Sequence, residues 1–548
     1  MDPIDDAVLE RILVAAHQAP SVGLSQPWDF LLLRDVEKRQ RIQALAARQR
    51  DTFAASLPTG RTRLFDGIKV EAILATPLNI VITCDPSRGG PFTLGRHADS
   101  RMAPFSAALA VQNLWLAARA EGLGVGWVSF FDPGELAREL DLPAYLDVVA
   151  YLCVGHVEHF PPAPELALSG WSRKRPLAWA VHDETFGDRR LPGGKPVSLL
   201  TETIASIIPA SAEAMAAAQE RQLMLTKPPG SLGALEDVGT RLCGMYGECP
   251  PPLPEPVAIA VFAGDHGVCE QGVSLYPQEV TTQMVANLQA GGAVVNAFGR
   301  QVGAEVTVVD VGVAGEVVAA PGLMLRKVAA GTADMTKGPA MTPAQVQAAI
   351  EVGIDVARDL VAQGNRLLAI GDMGIGNTTP SAALISVFTG LAPSDVTGRG
   401  TGIDDSMLQN KVSVIETAIR INAASPKDPV AALAGVGGLE HAAMVGFLLA
   451  AAALRTPVIL DGVIACSAAL VARAIAPDAA DYWVAGHRSV EPGASAALVH
   501  LDLVPLVDLG FRLGEGSGAT MAVPFVQASV RILREVATFD SAGVTNKD

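Results

Sequence analysis

A chain of 548 residues, 49% hydrophobic and 18% charged, is too long for one ordinary domain and too apolar to stay unfolded. Its formal net charge of −16 argues against nucleic acid as a partner, because neutralising a phosphate backbone takes clustered lysine and arginine. The longest uncharged apolar run, Ala442 to Leu454, is 13 residues, short of the roughly 20 that a membrane helix needs.

Six cysteines (Cys84, Cys153, Cys243, Cys249, Cys269 and Cys466) are scattered with no C-x-x-C pair and no histidine at ligand spacing. Structural thiols are expected, and no metal. No basic and apolar leader opens the sequence and no lipidation signal ends it, so a cytoplasmic protein is expected.

In chain order, Asp5 or Asp6 caps a helix carrying Val8, Leu9, Ile12, Leu13 and Ala16, which Pro20 ends. Phe30 to Leu33, Leu78 to Thr83, Val125 to Phe130 and Val148 to Val154 read as strands, with a helix from about Pro104 to Glu121 among them. This first part is α+β. From Pro161 to Val197 the composition turns to proline, glycine and interleaved charge, which places a boundary near residues 187–203. The expected organisation is a domain at 1–187, a linker at 188–203 and a second domain at 204–548.

The second part alternates strand and helix. Val257 to Phe262, Val306 to Val309, Leu367 to Ile370, Val458 to Leu460 and Val504 to Val507 are short apolar strands, the pattern of a parallel sheet covered on both faces. Asp265, Asp310, Asp372, Asp461 and Asp508 follow them closely, and ligands of such sheets bind beyond the carboxyl ends of the strands. Thr342-Pro343-Ala344-Gln345 is a capping box with proline at N1; its helix stops at Gly364, and Leu367 to Ile370 then runs into Gly371-Asp372-Met373-Gly374-Ile375-Gly376-Asn377-Thr378-Thr379-Pro380. A strand, a glycine turn and a helix start present free N–H groups and a positive dipole end to an anion. A tight connection with merely steric glycines fits the same ten residues. Leu513 to Ala519 sets Glu515 among three glycines, where it either caps a helix or serves as a general base, and capping alone suits Asp or Ser better.

Seven collinear segments carry a resemblance: Leu225 to Gly233, Ala263 to Val268, Tyr276 to Thr281, 371 to 380, Thr401 to Asp404 with Lys411, His487 to Gly493, and 513 to 519. From about Ile204 to Ala537 the chain resembles nicotinate-nucleotide:dimethylbenzimidazole phosphoribosyltransferase. The resemblance implies transfer of phosphoribose from nicotinate mononucleotide to 5,6-dimethylbenzimidazole, with Glu515 as catalytic base. Gly374, Gly376, Asn377 and Thr378 would receive the 5′-phosphate with Lys411 nearby, and Tyr276, Pro277 and Gln283 would border the benzimidazole. Asp372 stands where many relatives carry Glu. Without the family, Lys411 reads as a solvated helix lysine and Tyr276 as a packed ring; His266 and His487 are assigned no chemistry.

Ala19 to Trp28, Ala110 to Arg119, Gly124 to Ser129 and Gly170 to Pro176 resemble the flavin-destroying branch of the nitroreductase fold, 5,6-dimethylbenzimidazole synthase. The resemblance implies that reduced FMN and O₂ are consumed to make the acceptor. Ser21, Ser25 and Gln26 would face the flavin, Arg173 and Arg175 would meet its phosphate, and Ser129, on the strand of Gly-Trp-Val-Ser, would be catalytic. Relatives open with an Arg-Arg-Asp-x-Arg stretch that this sequence does not contain. Two expectations therefore stand: a bifunctional enzyme, or an active transferase fused to an impaired flavin-binding or dimerising module. Together the resemblances imply an α/β protein. An α+β nitroreductase-like FMN fold precedes a Rossmann-like parallel sheet with a smaller helical subdomain, usually as a homodimer.

Overall fold

The computed structural model describes residues 2–189, 191 and 198–545. Two compact units emerge: Met1–Leu57 with Arg61–Ser169, and Pro58–Gly60 with Gly170–Asp548.

In the first unit, helix Asp6–His17 begins where Asp5 Oδ1 accepts from the amides of Ala7 at 2.8 Å and Val8 at 3.3 Å. Four strands, β1 (Trp28–Leu33), β2 (Leu78–Cys84), β3 (Leu123–Val128) and β4 (Asp147–His156), form an antiparallel sheet in the order β1-β2-β4-β3. Alternation along β2 and β4 feeds two cores. Ile80, Ile82, Leu152 and Val154 pack with Leu9, Ile12 and Leu114 from helices Asp6–His17 and Met102–Ala120. Val81, Tyr151 and Cys153 pack with Ile42 of helix Val36–Ser56 and Leu136 on the other face.

The second unit holds six parallel strands: β5 (Val257–Gly264), β6 (Ala304–Gly312), β7 (Leu323–Leu325), β8 (Leu367–Met373), β9 (Val458–Leu460) and β10 (Trp483–Ala485). Their order is β10-β9-β8-β5-β6-β7. All of β5 is buried, so it reads as one apolar run. The chain winds outward from β5 through β6 and β7, then resumes on the other side at β8. The β5–β8 junction is thus the topological switch point, and a ligand crevice belongs at its carboxyl end. Helices Ala212–Met224, Ala234–Tyr246 and Ser517–Glu535 form a small helical layer in which Ala214, Ala218, Cys243 and Leu533 pack together. Among the described residues no helix is long and apolar enough to cross a membrane.

Three expectations change. Val504–Val507 is no strand; Val507 makes only an isolated bridge with His487, and Pro505, lacking an N–H, cannot continue a ladder. Short β7 and β10 edge the sheet instead. The units divide at Ser169/Gly170 rather than near 187, because the proline-rich segment is anchored to helix Pro343–Ala362: Arg173 N and Ser172 Oγ donate to Ala362 O, Arg189 pairs with Asp355 at 2.8 Å, and Arg358 stacks on Trp179 at 4.4 Å. Of the expected linker, residues 190 and 192–197 lie outside the described residues.

Helices Pro343–Ala362 and Leu439–Ala453 approach so closely that a Cβ on Gly353 would stand 1.7 Å from Ala443 O, and one on Gly446 1.9 Å from Ile350 O. Both obstacles are backbone, so the helices would have to separate. Gly353→Ala is expected to lower stability by about 1–3 kcal/mol through overpacking, read from the midpoint of denaturant unfolding. An unchanged midpoint would show that the contact yields freely.

Candidate active site

A cavity of about 750 Å³ opens beyond the carboxyl ends of the strands of the second unit, lined by the 372–378 loop, residues 399–401, Lys411, His487, Ser489, Glu491, residues 510–515 and Ser517. One part is polar. Gly376, at φ +87°, turns the chain into helix Thr378–Thr389, and a Cβ there would meet Cys269 Sγ at 2.5 Å. Beside this helix start Lys411 Nζ donates to Thr378 Oγ1 at 2.7 Å and to Gly398 O at 3.3 Å. Lys411 is buried, and desolvation holds its pKa down at about 8, the carboxylate of Glu491 pulling the other way. Glu491 also accepts from Gly400 N at 2.8 Å, bracing the 398–400 turn. Arg399, which pairs with Asp405 and donates to Ile403 O at 2.9 Å, and Arg512, which donates to Gly400 O at 3.3 Å, add two cations to the wall. Three cations and a helix N-terminus make an anion site.

The rest of the wall is apolar. Val280, Met284, Val294, Phe298 and Phe511 line it, with Phe298 and Phe511 stacked 6.4 Å apart and His487 against Phe511 at 5.9 Å. Tyr276 lines the cavity half-exposed. Such walls accept a flat aromatic ring.

Glu515 stands on this cavity at φ +64° between Gly514 and Gly516, both also in the left-handed region. The loop lies across β8, where a Cβ on Gly371 would be 2.4 Å from Glu515 O. A non-glycine residue held at positive φ stores strain of the kind found at functional sites. Burial raises the Glu515 pKa, Asp461 adds to the rise, and backbone hydrogen bonds from Val295 and Val294 oppose it. Its Oε2 is buried without a hydrogen-bond partner.

Asp372 is buried, its Oδ2 accepting from Asn377 Nδ2 at 2.8 Å. Burial, then Asp461, raises its pKa well above the usual carboxylate range. Its hydrogen bond fixes Asn377 in the loop. Asp461 accepts from Ala519 N at 2.8 Å and Gly516 N at 3.2 Å, securing the start of helix Ser517–Glu535.

The structure thus brings Tyr276, Asp372, Gly374, Gly376, Asn377, Thr378, Lys411 and Glu515 to one cavity. Pro277 and Gln283 are exposed and do not line it, because helix Val280–Gln289 turns Val280 and Met284, one turn apart, to the wall. Arg399, Arg512 and Phe511 were not expected. Arg399 stands within Gly398-Arg399-Gly400 and Arg512 between Gly510 and Gly514, and each glycine-flanked cation was a usable signal.

In the first unit the expected flavin residues assemble less well. Ser21 Oγ accepts from Gln26 N at 3.0 Å and Gln26 Nε2 donates to His17 O at 3.2 Å, so both serve the turn itself; Ser25 Oγ is buried and unpartnered. Ser129 lies just past the end of β3 and is exposed. Arg173 and Arg175 belong to the second unit, exposed. Of the expected residues in the first unit, only Ser25 carries a buried polar atom without a partner, so these side chains do not by themselves build a flavin-phosphate site.

A parallel sheet with a cationic, aromatic-walled cavity at its switch point suits a small anionic ligand that carries a flat ring. Residues 207–544 match the phosphoribosyltransferase family, and the chain belongs to that family. More narrowly, it is 57% identical over 363 residues to the nicotinate-nucleotide–dimethylbenzimidazole phosphoribosyltransferase of Salinispora tropica, covering 64% of this chain and 100% of that protein. The Geobacter sulfurreducens protein of the same name is 49% identical over 352 residues, covering 64% and 100%. A crystal structure of the Thermus thermophilus enzyme is similar at TM-score 0.59 and 44% identity, covering 62% of this chain and 100% of that one. Residues 1–156 match the nitroreductase family, so the chain joins a nitroreductase-family domain to the transferase.

Lys411 is a cation only below about pH 8. Affinity for ribose 5-phosphate, measured by calorimetry, is expected to fall by up to about tenfold per pH unit above that value. Lysine burial has the opposite sign for folding: with a folded pKa of about 8 against the ordinary lysine value of 10.5, stability is gained as pH rises through that window. Lys411→Met should therefore bind weakly with no pH dependence there, yet melt no lower at pH 7. Binding that stays level across pH 8 in the native protein would exclude Lys411 from the anion site.

Proposed function

We propose that the second unit transfers phosphoribose from nicotinate mononucleotide to 5,6-dimethylbenzimidazole, giving α-ribazole 5′-phosphate and nicotinate. The observation that carries this reading is Glu515, held at positive φ on the cavity wall with a buried, unpartnered Oε2. The 5′-phosphate is held by the loop at Gly374, Gly376, Asn377 and Thr378 with Lys411, Arg399 and Arg512 as its charges. The benzimidazole lies among Tyr276, Val280, Met284 and Phe511. One azole nitrogen attacks C1′ while the bond from C1′ to the pyridinium nitrogen breaks. The bonding pair returns to nicotinate, which leaves as a neutral ring and needs no acid. The other azole nitrogen gives its proton to Glu515. Attack on the face opposite the leaving group converts the β linkage to α.

Glu515 must be ionised to act, and burial raises its pKa; transfer is therefore lost as the pH falls through that raised value, earlier than an ordinary glutamate would dictate. Glu515→Gln is expected to slow transfer by about 10² to 10⁴, with nicotinate mononucleotide binding retained by calorimetry. Unaltered turnover would remove Glu515 from the role of base.

For the first unit we propose the companion activity, conversion of reduced FMN and O₂ into 5,6-dimethylbenzimidazole, in a cytoplasmic homodimer. Its support is the nitroreductase-family domain and the buried free hydroxyl of Ser25. A second reading, a flavin-binding or dimerising module without synthase activity, is favoured by the placement of Ser129, Arg173 and Arg175. Incubating the protein with reduced FMN, O₂ and nicotinate mononucleotide separates them. α-Ribazole phosphate formed without added base is the expected product of a bifunctional enzyme; formation only after dimethylbenzimidazole is supplied leaves the transferase alone.

A further inference from the structure

Three side chains that the proposed transfer does not use meet in the interior of the second unit, outside the cavity wall. His266 follows β5, and Glu440 and His441 open helix Leu439–Ala453; their side chains are 0–1% exposed. His266 Nε2 lies 2.8 Å and His441 Nδ1 2.7 Å from one and the same oxygen, Glu440 Oε1. The ligand atoms of the three residues all lie within 4.8 Å of one another.

Neither ring nitrogen is aligned for a hydrogen bond to that oxygen. His266 Nε2, His441 Nδ1 and both Glu440 oxygens are buried without a hydrogen-bond partner. Close but oblique approach is what two ligands of one ion display. With metal–ligand bonds of about 2.0–2.2 Å, each nitrogen points at the ion while the line to the neighbouring oxygen runs well off that axis. A hydrogen bond requires the N–H to point along the line itself.

The tautomer of His441 argues the same way. Ser381 Oγ has one proton, and it donates to Asn377 O at 2.8 Å. The 2.8 Å contact between Ser381 Oγ and His441 Nε2 is then a bond in which the imidazole donates. In the neutral ring this leaves Nδ1 as a lone pair 2.7 Å from a carboxylate oxygen. Two electron-rich atoms at that separation need positive charge between them, supplied either by a ring proton or by a metal ion. A hydroxyl that fixes the far nitrogen of a ligating histidine is also the usual outer support of a metal site.

We infer that His266, Glu440 and His441 form a buried binding site for a divalent transition-metal ion. Two imidazoles and one carboxylate suit zinc, cobalt(II) or iron(II) rather than magnesium or calcium, which take oxygen ligands. The ion would tie the end of β5 to the start of helix Leu439–Ala453. Through His441 and Ser381 it would also brace helix Thr378–Thr389, whose first turn opens the anion loop. This inference rests on these side chains alone and is independent of the reaction proposed above.

The test uses the full chain from cells grown with added Zn²⁺ or Co²⁺ and purified without chelators. About one ion per chain by elemental analysis is expected, with visible d–d absorption from the cobalt form. His441→Ala, checked for folding by circular dichroism, should lose at least about nine-tenths of the bound metal. The native chain also decides by itself, whether or not the variant folds. Native protein from both cultures without stoichiometric metal, or a folded His441→Ala that retains it, overturns the inference and leaves a buried imidazolium–carboxylate pair.

Discussion

Every group in the transferase cavity depends on how closely three backbone segments approach at the carboxyl ends of β5 and β8. Gly371 lies against the carbonyl of Glu515, and a Cβ on Gly374 would stand 2.3 Å from Gly264 O. No side chain fits at either place. The glycines of the 371–376 loop are thus sterically required: close approach sets this loop and the Glu515 loop side by side, and the same turn leads into the start of helix Thr378–Thr389.

Electrostatics follows from that packing. Asp372, Asp461, Glu440 and Glu515 are all buried in one region; Asp461, Glu440 and Glu515 raise the proton affinity of Asp372, and Asp461 raises that of Glu515. Glu440 alone is held well below the usual carboxylate range, because two histidines face it and outweigh the burial. Asp372 is raised most by desolvation and serves as a fixed dipole behind Asn377. Glu515 lies between these cases. Burial pushes it toward the proton while the amides at the start of helix Val294–Val302 favour the ionised form.

Much of this was legible in sequence where the signal is local. Asp5 and the Thr342 capping box start their helices as expected, with Thr342 Oγ1 accepting from Gln345 N at 3.2 Å. The buried runs of β5, β8 and β9 appear as strands for the same reason. What was not legible is long-range or too short. β7 and β10 have three residues each and owe their existence to a neighbouring strand. His266 and His441 are 175 residues apart, so ligand spacing along the chain could not suggest them. The segment after Gly170 has a linker's composition, yet Ser172, Trp179 and Arg189 each find a partner on one helix.

The first unit shows the limit of reading a site from a motif. Its sheet and helices follow from alternation and capping, which are properties of the local chain. Residues such as Ser21 and Gln26 stand in a loop where polar side chains have two uses, and here the turn takes both. Ser21 Oγ is already engaged as an acceptor from Gln26 N, and Arg88, the nearby cation, is tied to Asp29 at 2.6 Å and to the carbonyl of Trp28. In the second unit the polar atoms on the cavity wall are instead left over: Glu515 Oε2 and Asp372 Oδ1 are buried and unpartnered. Burying a carboxylate oxygen without a partner is costly, so its persistence points outward to a ligand.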